Sequence, residues 1–158
     1  MRSADRTIPN QEPPSHHAAP SLYRDVVEQL PDAVIVSDRH GVIQAWNRAA
    51  EALFGFAAAE AIGQSLDLII PERFRKAHWD GFHQAVANGR TRLGSQVRTT
   101  RSAHKEGYKL YVDLSFGLVT DATGAVVGAT AVARDCTARY EADKALRKRL
   151  AELEAGST

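Results

Sequence analysis

An imidazole set among apolar side chains is the feature of this sequence best placed to do chemistry. In residues 71–98, Phe74, Ala77, His78, Gly81, Phe82 and Ala85 recur at three- and four-residue steps, which places them on one face of a helix. A neutral imidazole in that stripe can ligate a metal or a metal-bearing cofactor, or it can be a core histidine bonded to a backbone carbonyl. Spacing alone allows both. Gly81 costs about 1 kcal/mol of helix propensity relative to Ala, which makes sense if a bulky group lies against the backbone there. Arg98, at the end of the following segment, would bring a cation to the same pocket. His83 lies about 140° further round the helix than His78 and is expected to face water.

The helix carrying these residues is well punctuated. Pro71 suits its first position, and Glu72 favours the positive end of its dipole. Asn88 and Gly89 tolerate the left-handed conformation that closes helices. Before it, Ser21 is read as the cap of a short helix over 22–30, with Leu22, Val26, Val27 and Leu30 on one side. Residues 33–38 and 42–47 read as an antiparallel hairpin turned at Gly41. Asn47 then caps a helix whose Ala50, Leu53 and Phe54 face inward. A small helical turn (57–63) and an apolar segment (66–70) lead into Pro71. Beyond residue 92 the period changes to two. Residues 109–119 alternate strictly, with Leu110, Val112, Leu114, Phe116 and Leu118 on one face. Residues 93–103 are its predicted hairpin partner, and 126–135 the last strand, rich enough in Ala and Gly to let a neighbour approach closely. Five strands with short helices between the second and third make an α+β sheet covered on one face.

The chain has 158 residues, 44% of them hydrophobic and 25% charged, which fits a single globular domain. A formal net charge of +1 gives no electrostatic reason to expect nucleic-acid binding. No run approaches the ~18 apolar residues of a membrane helix. Cys136 stands alone, so no intrachain disulfide or thiolate cage forms, and the expected compartment is the cytoplasm. Residues 1–20 hold four of the six prolines and read as a disordered tail; His16 and His17 there lack a third ligand and read as no metal site. Residues 137–155 form a helix capped by Thr137, with Leu146, Leu150 and Leu153 spaced as a short coiled-coil seam.

The segments DAVIVSDRHGVIQAWNRAAEALFGF and VARDCTARYEADKAL, in this order, resemble the PAS sensory family, and the resemblance covers residues 21–150. It implies a PAS domain over 21–136 and a C-terminal signalling helix over 137–158, with Asp135, Cys136 and Thr137 as the junction. Residues 71–116 are similar to the haem-binding PAS domains of FixL-type kinases and of the direct oxygen sensor phosphodiesterase. That similarity implies haem b on His78 as axial ligand, with Arg98 where a distal arginine meets bound oxygen. Gln96 falls where the phosphodiesterase carries a distal methionine. Phe74, Phe82, Leu114, Phe116 and Val132 are expected to wall the macrocycle.

The implied function is sensing of a diatomic gas or of redox state, without catalysis. Signalling would run through a homodimer built on the N- and C-terminal helices, to a partner protein or a fused output domain. The other readings are a cofactor-free interaction module and a PAS domain holding a flavin or another small ligand. A photochemical flavin adduct is excluded because Cys136 ends the last strand. Asp113 and Glu106 read as surface charges.

Overall fold

In a computed structural model, residues 19–92, 94 and 96–156 are described. His16, His17 and most of the predicted tail lie outside them. The elements run α1 (Pro20–Gln29), β1 (Ala33–Asp38), β2 (Ile43–Trp46), α2 (Arg48–Phe54), α3 (Ala58–Ala61), a 3-10 turn (Leu66–Leu68) and α4 (Glu72–Asn88). They continue with β3 (Arg98–Ala103), β4 (Lys109–Thr120), β5 (Val126–Asp135) and α5 (Thr137–Gly156). The strands form one antiparallel sheet in the order β2-β1-β5-β4-β3. Placing β5 centrally lets the last strand touch both halves, and α2 to α4 then cover one face. None of the described helices is long and apolar enough to cross a membrane.

The core lies between that face and the helices. Ala33 and Ile35 of β1, Leu110 and Val112 of β4 and Ala129 and Ala133 of β5 pack there against Trp46, Phe54 and Phe82. Leu114, Phe116 and Leu118 continue the row of β4, half-buried. The alternation read in β4 therefore holds along its whole length, because one parity meets the core and the other does not.

Asn47 is the fastening of the N-terminal half. Its Oδ1 accepts from the amides of Val34 (2.9 Å) and Ala50 (3.0 Å), and its Nδ2 donates to the carbonyls of Val27 (2.8 Å) and Asp32 (3.0 Å). One buried amide thereby caps α2 and ties it to α1 and β1.

Three expectations are corrected. Pro20, inside the predicted tail, opens α1, and Ser21 caps nothing: the cap position is Ala19, without a side-chain bond, because Pro20 supplies the preset first turn. Strand β3 begins at Arg98, not residue 93. Thr137 is not the cap of α5. Asp135 accepts from the Thr137 amide at 2.8 Å, which frees the Thr137 hydroxyl to accept from the Tyr111 amide at 3.0 Å. Asp113 is a surface charge as expected, and pairs there with Arg139 of α5.

Candidate functional site

Helix α4 starts after Pro71, which occupies the cap position, and stops at Gly89, whose φ of 65° is left-handed. Its inward face is rotated from the predicted one. Phe82 and Ala85 are buried and Arg75, His78, Trp79 and Val86 half-buried, whereas Phe74, Ala77 and Gly81 are exposed. Trp79 sets this phase. Its indole lies against Gly41 at the β1–β2 turn, so close that a Cβ on Gly41 would sit 2.2 Å from the ring. The indole N–H donates to Asp67 Oδ1 at 2.8 Å. A bulky ring with one polar atom is held best where its edge meets a carboxylate, and the helix turns to put it there. Open space, not a bulky neighbour, lies beside Gly81.

His78 projects toward the sheet with its ring 4.9 Å from that of Trp79 and 5.9 Å from that of Phe82. Its Nδ1 is buried and, among the described residues, has no hydrogen-bond partner, so on that nitrogen the carbonyl bond of a core histidine is absent. Burial pushes the imidazole below the ordinary histidine pKa; the Asp67 carboxylate opposes this and His83 adds to it. The ring is thus neutral at pH 7, the form that donates a lone pair to a metal.

The facing wall is the inner row of β4. Phe82 and Phe116 meet ring to ring at 6.2 Å, and Leu114 lies two residues before Phe116. Arg98 is the cross-strand partner of Leu114 and shares its parity, so the cation belongs to the inner side at the sheet's edge strand, exposed to solvent. Gln96 lies just before β3 and is exposed.

His78, Phe82, Leu114, Phe116 and Arg98 are therefore brought to one side of the sheet. Besides the exposed Gln96, two expected residues are not. Val132 pairs with Ser115, which puts it on the opposite face. There it lines an outer cavity of about 240 Å³ with Asp32, Val97, Asp113, Ser115, Ala133 and Arg134. Phe74 is 38% exposed and lies under the Arg73 guanidinium at 4.5 Å, a solvent-side contact. Sequence reasoning missed Trp79 and Asp67 as the pair that orients α4; an aromatic next to His78, with a carboxylate in the preceding turn, was the available signal.

The residues brought together fit a haem by type: a neutral, unpartnered imidazole on one wall, apolar rings on the other, and a guanidinium at the rim. As folded, the Phe82–Phe116 contact bridges the two walls, so a macrocycle would have to part those rings.

The PAS fold family matches residues 21–136 of this chain. The sensor protein FixL of Bradyrhizobium diazoefficiens is 31% identical over 134 residues, covering 82% of this chain and 25% of that protein. The oxygen sensor protein DosP of Escherichia coli is 25% identical over 104 residues, covering 66% of this chain and 13% of that one. The chain thus spans a quarter or less of these relatives. Among solved structures, a PAS domain from Colwellia psychrerythraea superimposes with a TM-score of 0.65 at 25% identity, over 74% of this chain and 96% of the other. An RNA-binding light-oxygen-voltage receptor gives 0.71 at 21% identity over 96% of this chain and 42% of the other, a likeness of fold alone.

Proposed function

The chain belongs to the PAS family and is a sensory signal-transduction domain; on that premise we propose that it binds haem b through His78 and reports a diatomic gas or a redox change through α5. The observation that carries this reading is the buried Nδ1 of His78 on the inward face of α4, unpartnered among the described residues. An unpaired buried polar atom costs about 1–3 kcal/mol, a cost that a ligand partnering the imidazole in this site would relieve. Haem iron, when bound, supplies reversible binding of a small gas or of an electron. The chain's own residues do the rest. Phe82, Leu114 and Phe116 exclude water, Arg98 offers a cation to a propionate or to a polar gas ligand, and burial keeps His78 unprotonated. The names of the two relatives, a sensor protein and an oxygen sensor, point the same way. In this reading the domain catalyses nothing itself and passes its signal to a partner or a fused output domain.

A second reading rests on different residues. Leu22, Tyr23, Val26 and Leu30 of α1 and its exit are exposed, as are Leu146, Leu150 and Leu153 of α5. These stripes suit a homodimer through the N- and C-terminal helices, which serves a haem sensor and a cofactor-free interaction module equally. Titration of the purified protein with haem separates the two. Saturation at one equivalent with a sharp Soret band supports the sensor, and no specific uptake leaves the interaction module.

A further inference from the structure

On the face of the sheet away from α4, one carboxylate joins three elements. Asp113 of β4 accepts from the Thr99 hydroxyl of β3 on Oδ1, at 2.6 Å, and from Arg139 of α5 on Oδ2, at 2.6 Å. The Thr99 bond, helped by the Arg139 charge, holds its carboxyl below the usual range. The root of α5 has other anchors: Asp135 at the end of β5 accepts from the Thr137 amide, and the rest are on β4. Thr137 and Cys136 bond the backbone of Tyr111, and Tyr140 stacks on the Tyr111 ring at 3.8 Å. Among the described residues, Asp113 is the hydrogen-bonded link that carries the hold on α5 across to β3.

The position of Thr99 gives that link a meaning. It follows Arg98 directly, and successive strand residues point to opposite faces. A displacement of Arg98 on the inner side therefore moves the Thr99 hydroxyl on the outer side. Asp113 has the same relation to the site, lying between Val112 and Leu114, which both face inward. Beside the carboxylate, the outer cavity of about 240 Å³ is bordered by Val97, the residue before β3.

We propose that Asp113 is the joint coupling the ligand side of the sheet to the signalling helix: movement of β3 at Arg98 changes the grip of Asp113 on Arg139, and with it the fraction of molecules whose α5 root is docked. The joint deepens the haem-sensor reading and rests on it for the nature of the stimulus. Its equilibrium is between docked and released roots, biased from the inner face.

Amide hydrogen exchange at residues 140–143 tests it. In the protein as purified, Thr99→Val removes the hydroxyl at an exposed strand position that favours β-branched residues. Exchange at 140–143 is expected to quicken roughly two- to fivefold, the scale of an exposed charge pair. Asp113→Asn should do at least as much, and the double variant no more than Asp113→Asn alone. Exchange in Thr99→Val equal to that of the unaltered protein overturns the joint, because Asp113 would then hold α5 without β3. With haem bound, carbon monoxide should alter exchange at 140–143 in the unaltered protein but not in Asp113→Asn, whose Soret band stays the same. A carbon monoxide response that survives in Asp113→Asn also overturns the joint. Failure to take up haem would remove the proposed cofactor and leave the Thr99→Val comparison to decide the joint.

Discussion

Phe82 of α4 and Phe116 of β4 meet with their ring centroids 6.2 Å apart and their planes at 62°, so helix and sheet touch directly beside His78. The contact closes the space between the two walls of the site, and it is the first thing a planar cofactor would separate.

Phe116→Ala tests that arrangement. Full burial would make the loss roughly 3–5 kcal/mol, and a half-buried ring should cost about 2 kcal/mol. Urea unfolding of the apo-protein measures it. With haem present the deficit should shrink, since the macrocycle would occupy the vacated space. An equal deficit with and without haem would place the cofactor elsewhere.

Asn47→Ala should cost more, although it is far from the site. Four hydrogen bonds end on this side chain, which is 1% exposed, and the backbone groups it serves are left without partners. About 3–4 kcal/mol is expected by urea unfolding. Because Val27 is among the partners, α1 should also become protease-sensitive before the sheet does. Simultaneous loss of both would show that α1 is held by something else.

Gly41→Ala probes the seat of Trp79. A φ of 80° already disfavours alanine, and its Cβ would overlap the indole. A destabilisation of at least about 2 kcal/mol is predicted, with a change in tryptophan fluorescence as the ring is pushed from Asp67. Little loss and an unchanged spectrum would mean that Trp79 does not set the phase of α4.

The depressed pKa of His78 makes stability depend on pH. Below about pH 6.5 the unfolded chain takes up a proton on this histidine that the folded chain resists. The unfolded state then binds more protons, so stability is present in full above that pH and is lost as pH falls through the folded value. Asp67 and His83 are the charged neighbours that modify it. Urea midpoints at pH 7.5 and 5.5 should differ more for the unaltered protein than for His78→Phe. Equal differences would mean His78 titrates as it does in the unfolded chain.

Strands β1, β4 and β5, the Asn47 cap and the stop at Gly89 could all be read from residue order, because each rests on a local preference that packing reinforces. The phase of α4 could not. Its two candidate stripes differ by a small rotation, and the choice depends on Trp79 reaching Gly41 and Asp67, contacts distant in sequence. Val132 failed for a related reason. Both parities of β5 carry apolar residues, and only the pairing of Ala133 with Ala33 and Leu114 decides which faces the core. Of the candidate site residues, His78, Phe82, Leu114, Phe116 and Arg98 lie to one side of the sheet, as their spacing suggested. The unpartnered state of the His78 nitrogen was not legible, since nothing in spacing reports where a carbonyl will fall.

The central claim is that His78 is a haem ligand, and the most direct measurement is the absorbance spectrum of the haem-reconstituted protein beside His78→Ala. A stoichiometric Soret band in the unaltered protein, lost or shifted in the variant, is the predicted result. A band indifferent to the substitution, or none in either protein, would contradict it and return His78 to the packing of α4 against the sheet.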